Sequence, residues 1–103
     1  MARLDVLEKL VSKEPNDPFP YYCLAQEYRS LGRVDEALGA FARLKLRFSG
    51  YVPQYLMAAQ LCHEHGRADE ARQWASEGVA AARAARDSHA AGELESFLAG
   101  LGA

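Results

Sequence analysis

An all-α architecture of antiparallel helix-turn-helix repeats is the fold this sequence predicts, and three observations carry it. The stretch Gly32-Arg33-Val34-Asp35-Glu36-Ala37 returns as Gly66-Arg67-Ala68-Asp69-Glu70-Ala71, 34 residues further on. Apolar side chains recur at steps of three and four along the chain, the spacing of one helix face. Proline, glycine and Asp-Ser steps interrupt that rhythm at regular intervals, and no alternating strand pattern fills the gaps.

The first helix is expected to end near Lys13. Leu4, Leu7 and Val11 share a side, Val6 and Leu10 widen it, and Glu14-Pro15-Asn16-Asp17-Pro18 stops it, since proline cannot donate to a continuing helix. Asp17 is a suitable N-cap for a second helix from Pro18 to Leu31, carrying Tyr21, Leu24, Ala25 and Tyr28. Gly32 can take the left-handed conformation that closes it.

Asp35 and Glu36 set negative charge in the first turn of a third helix, Val34 to Phe48, with Ala37, Leu38, Phe41 and Leu44 on its apolar face. A fourth helix runs from about Pro53 to Gly66 through Tyr55, Ala58, Ala59 and Cys62. The fifth begins near Ala68 and continues to about Arg86, rich in alanine and interrupted only by a tolerated Gly78. Asp87-Ser88 caps a sixth, whose stripe is Ala90, Leu94, Phe97, Leu98 and Leu101.

Residues 18–51 and 52–85 align with identities at Tyr21/Tyr55, Ala25/Ala59, Gln26/Gln60, Gly32/Gly66, Arg33/Arg67, Asp35/Asp69, Glu36/Glu70 and Ala37/Ala71. Small residues at Ala25, Ala37, Ala59 and Ala71 allow two helices to approach closely, and larger ones fill the space between pairs. The period and residue types resemble the tetratricopeptide repeat family, as found in small bacterial proteins. The first unit supplies Tyr21, Leu24-Ala25, Tyr28, Gly32, Ala37 and Phe41 in the family's places, with Ser49 where its closing proline would stand. The second is looser, with Cys62 and Ala75 in place of larger residues and Arg83 in place of proline.

One period before Ser49 lies Pro15, which matches that proline, so the first helix resembles the second half of a truncated repeat. The single domain 1–103 is thus expected to contain a half repeat (1–17), two repeats (18–51 and 52–86) and a capping helix (87–103). The resemblance implies an α-solenoid with a right-handed superhelix, whose first helices line a concave groove.

Composition narrows the function. Half the residues are hydrophobic, a quarter are charged, and the net charge is −2, which suits a folded domain and lacks the positive field that nucleic-acid binding draws on. Arg43, Lys45 and Arg47 alternate, and so point in different directions around a helix. Two cysteines make no disulfide framework, Asp5, Glu8 and Lys9 interrupt any leader-like run, and no stretch is long and apolar enough to span a membrane. A cytoplasmic location is the expectation.

No catalytic residue, metal site or cofactor is expected. The carboxylates of the repeated motif fall in a first helical turn, where they favour the dipole and face water. In Cys62-His63-Glu64-His65 the two histidines diverge around a helix, with His89 the only remote addition, and Cys62 takes the place of a buried repeat residue. Cys23 has no histidine in its helix, and phosphate-loop, nucleophile-elbow and zincin motifs are absent.

What remains is surface. The residues off the packing stripe of the first helices are Phe19, Tyr22, Gln26 and Arg29, then Leu56, Gln60 and His63. They either cover neighbouring helices or form a groove for a peptide or amphipathic helix of a partner protein, which would make the chain an adaptor or scaffold. The lysines and asparagines by which chaperone-binding members clamp an acidic C-terminus have no counterpart at Tyr22, Gln26, Leu56 and Gln60. The alternative is a homodimer built on Leu4, Val6, Leu7, Leu10 and Val11 of the first helix.

Overall fold

The computed structural model describes residues 2–102, and over them the chain forms α1 (Arg3–Lys13), α2 (Pro18–Ser30), α3 (Val34–Arg47), α4 (Pro53–Glu64), α5 (Ala68–Ala84) and α6 (Ser88–Gly100). No strand occurs among the described residues. The starts fall where proline, motif and Asp-Ser steps put them. The ends of α2 to α5 come one or two residues before the expected bounds, because Leu31, Phe48, His65 and Ala85 stand as half-helical caps whose amides still donate back into the last turn.

The repeated motif closes one helix and opens the next. Gly32 and Gly66 have φ of 74° and 73°, a region that suits a residue without a Cβ. In the first turn the Gly32 amide donates to Arg29 O and the Arg33 amide to Tyr28 O; in the second, Gly66 donates to His63 O and Arg67 to Cys62 O. These paired bonds satisfy the last carbonyls of α2 and α4. Asp17 and Asp87 cap α2 and α6 by accepting from the amides of Phe19 and Ala90, each at 3.0 Å.

The helices divide into two compact units, Met1–Phe48 and Ser49–Ala103. In the first, α2 packs on α1 and on α3. Leu24, Ala25, Ala37, Phe41 and Leu44 are wholly enclosed, and the Tyr21 ring lies tilted 6.0 Å from that of Phe48. Leu7 and Val11 are the buried residues of α1, Leu4 is half-buried, and Val6 and Leu10 are exposed. The five apolar residues of this helix thus divide between its packed and outer sides.

In the second unit α5 lies against both α4 and α6. Ala58, Ala59, Ala71, Ala75 and Ala82 are fully buried, with Leu61, Cys62 and Leu94 the larger enclosed side chains. Tyr55 sits 6.0 Å from Trp74 and its hydroxyl donates to Ser49 O, fixing the segment before α4. Gly78 is structural rather than tolerated. A Cβ there would meet Tyr55 Cβ at 2.5 Å and both Leu94 methyls at 3.0 Å, so its bare backbone sets how closely the three helices approach.

Candidate functional site

The first unit presents its four expected residues along α2. Pro18 and Pro20 stand in the first turn, and the helix carries Phe19, Tyr22, Gln26 and Arg29 at steps of three and four. Phe19 is 58% exposed, while the other three are half-buried. The Tyr22 ring meets Phe41 edge-on at 6.4 Å, and its hydroxyl accepts from Gln26 Nε2 at 3.4 Å. Burial raises the Tyr22 phenol above its ordinary range, and the Gln26 bond and Arg29 charge oppose that rise. Tyr22 is therefore anchored and uncharged at neutral pH, beside a positive side chain.

The second unit contains a cleft of about 630 Å³ between α4 and α6. Leu56 and Gln60 line it from α4; Ser88, His89, Gly92, Glu93, Ser96 and Phe97 line it from α6. His63, the third residue expected on α4, packs T-shaped against the Phe97 ring at 5.9 Å. His89 Nε2 lies 3.4 Å from Glu93 Oε1, one helical turn away. The cleft has an apolar floor at Leu56 and Phe97 under a polar rim, the arrangement that anchors one large side chain while bonding to a backbone.

The α6 lining was absent from the sequence expectation, which treated this helix as a cap. A signal was present, because one repeat period beyond His63 falls Phe97, the residue it touches. Gly92 is a second feature that periodicity hides. It lies inside a helix, where glycine costs roughly 1 kcal/mol relative to alanine, and a Cβ there would touch nothing. No packing among the described residues accounts for it.

Other motif residues have structural roles. Arg33 grips Glu36 through two bonds of 2.6 Å, and its guanidinium lies 5.1 Å from the Tyr28 ring centre. Arg67 and Glu70 repeat the pair more loosely at 3.9 Å. Cys62 is buried, which pushes its thiol up, whereas His63 and His65 are exposed and the His65 ring lies 3.0 Å from Leu61 O. Among the described residues no three His, Cys, Asp or Glu side chains gather as metal ligands would, and no helix is long and apolar enough to cross a membrane.

Comparison with known proteins gives the fold a context. The sequence profile of the tetratricopeptide repeat matches residues 6–39, from within α1 to within α3. The structure is similar to the solution structure of a tetratricopeptide repeat domain protein from Salinibacter ruber, at 28% identity and a TM-score of 0.80, over 85% of this chain and 89% of that one. PcrH, solved with the chaperone-binding region of PopD, shares the fold at 19% identity and a TM-score of 0.85, over 95% of this chain and 74% of that one. A protein from Bordetella parapertussis shares it at 23% identity and a TM-score of 0.79, over 98% of this chain and 88% of that one. No curated protein matches the sequence.

Proposed function

Since the chain is a tetratricopeptide repeat protein, we propose that it is a non-catalytic protein-interaction module, an adaptor that holds a peptide or helix of a partner protein. The observation that carries this reading is the α4 and α6 cleft, where Leu56 and Phe97 offer an apolar floor and Gly92 leaves room for a second backbone. The column Phe19, Tyr22, Gln26 and Arg29 supplies further contact surface of the aromatic and arginine type that dominates interface energies. PcrH, which shares the fold, was solved holding a segment of another protein, and that supports the same use here. A cytoplasmic site of action is part of the proposal.

The test is affinity capture from a lysate of the source organism with three baits: wild type, Gly92→Trp, and Tyr22→Ala combined with Arg29→Glu. The indole of Gly92→Trp fills the cleft from an exposed position, so helicity by circular dichroism stays at the wild-type level. Prey retained by wild type and lost from either variant supports an adaptor and identifies the surface. Prey held equally by all three removes both surfaces from the account.

A second reading, self-association through α1, draws on the exposure of Val6 and Leu10, at 44% and 40%.

A further inference from the structure

The α6 wall of the cleft carries Ser88, Gly92 and Ser96 in one column at steps of four, beside a second column ending in Glu93 and Phe97. No side chain in the first column is longer than a hydroxymethyl group, and nothing lies within 4 Å of where a Cβ on Gly92 would stand. The column is therefore a trough along the helix. Steps of four are the spacing of the ridges that interlock when one helix packs on another, so the trough fits a ridge of a second helix, with Leu56 and Phe97 at its apolar side.

An extended segment fits less well. A sheet edge offers a row of free backbone groups, but both walls here are helices whose backbone, beyond the first turn of α6, bonds within the helix. The amides and carbonyls of an extended occupant would depend on the side chains of Gln60, Ser88 and Ser96. A helix satisfies its own backbone and needs only side-chain packing.

Charge fixes what that ridge carries. Neither α4 nor α6 contains a lysine or an arginine; their carboxylates are Glu64, Glu93 and Glu95, and their imidazoles His63 and His89. Glu95 bonds Arg83 at 2.8 Å, Glu64 lies outside the cleft lining, and Arg67 beyond the end of α4 pairs with Glu70. Arg83 and Arg86 line a separate hollow of about 450 Å³ that meets the cleft at Ser88 and Gly92, where Asp87 and Glu95 balance them. Glu93 lines the cleft with its side chain half exposed, and its ion pair with His89 lasts only while that ring is protonated. The cleft thus presents a carboxylate one helical turn from its aromatic floor.

We propose that the cleft takes one amphipathic helix of a partner protein, with its ridge in the Ser88, Gly92 and Ser96 trough, a large apolar side chain between Leu56 and Phe97, and a lysine or arginine one turn away on Glu93. The proposal rests on the adaptor reading above and adds the form and charge of the bound segment. A partner with a carboxylate at that place meets like charge and is rejected.

Selection from a displayed library of random peptides, about as long as α6, on the full wild-type chain tests it. Each enriched peptide is synthesised, its affinity read by fluorescence anisotropy and its helicity by circular dichroism with and without the protein. The enriched peptides are expected to set a large apolar residue one helical turn from a lysine or arginine, to gain helicity on binding, and to lose their binding to Gly92→Trp. Glu93→Lys should weaken them about fivefold, and selection on that variant should enrich aspartate or glutamate in place of the base. Both substitutions are at exposed positions, and circular dichroism of the two variants checks that they fold as wild type does. Peptides that bind both variants as tightly as wild type, or a library from which none is enriched, overturn the proposal together with the part of the cleft in the adaptor reading. Peptides that Gly92→Trp excludes but that gain no helicity, or that ignore Glu93→Lys, leave the adaptor reading standing and overturn the helical form or the charge preference.

Discussion

Among the described residues, three turns close a helix with the same pair of backbone bonds, but their left-handed residues differ. After α2 and α4 that residue is glycine; after α5 it is Arg86 at φ 58°, with its amide bonded to Arg83 O and the Asp87 amide to Ala82 O. A Cβ in this conformation costs roughly 1–2 kcal/mol. Arg86→Gly is therefore expected to stabilise the protein by about 1 kcal/mol, and Gly32→Ala or Gly66→Ala to destabilise it by a similar amount, read from urea midpoints at constant slope. The repeat pattern announced the first two turns because glycine marks them. The third was legible only as a cap, Asp87-Ser88, since arginine is no signal for a left-handed turn.

At the scale of the helix, two glycines with the same local propensity have opposite tertiary settings. Gly78 lies where α5 meets Tyr55 of α4 and Leu94 of α6, whereas Gly92 faces open space on α6. Gly78→Ala forces Tyr55 to shift, and the overpacking is expected to cost a net 1–3 kcal/mol or so despite the gain in helix propensity. Gly92→Ala should stabilise by about 0.5–1 kcal/mol, because nothing stands in the way of a methyl group. Thermal melts of the two variants beside wild type check the contrast in sign. Sequence alone gives both residues the same reading, an unfavourable residue in a helix; only the packing of a third helix separates them. The half of the cleft that comes from α6 escaped notice for the same reason. Apart from Phe97, its lining residues lie off the apolar stripe and include two serines and a glycine, which carry no periodic signal.

For the molecule as a whole, the 34-residue period made the helical repeat fold and its six elements readable, because the period lies in turn residues and small packing residues that chemistry restricts. The surfaces were less readable, since many residue types satisfy an exposed position. The two units nevertheless differ in a way that experiment can use: each has one free thiol, Cys23 in the first and Cys62 in the second. Burial raises both thiols above their ordinary range, which slows direct attack on any reagent. Cys62 is wholly enclosed in the folded chain, so it is expected to react only when α4 opens, while the partly exposed Cys23 reacts sooner. Mass spectrometry of a timed labelling reaction counts the two events separately, and Gly78→Ala should hasten labelling at Cys62. A chain with one clock in each half reports, without any added probe, whether its halves lose their structure together or in turn.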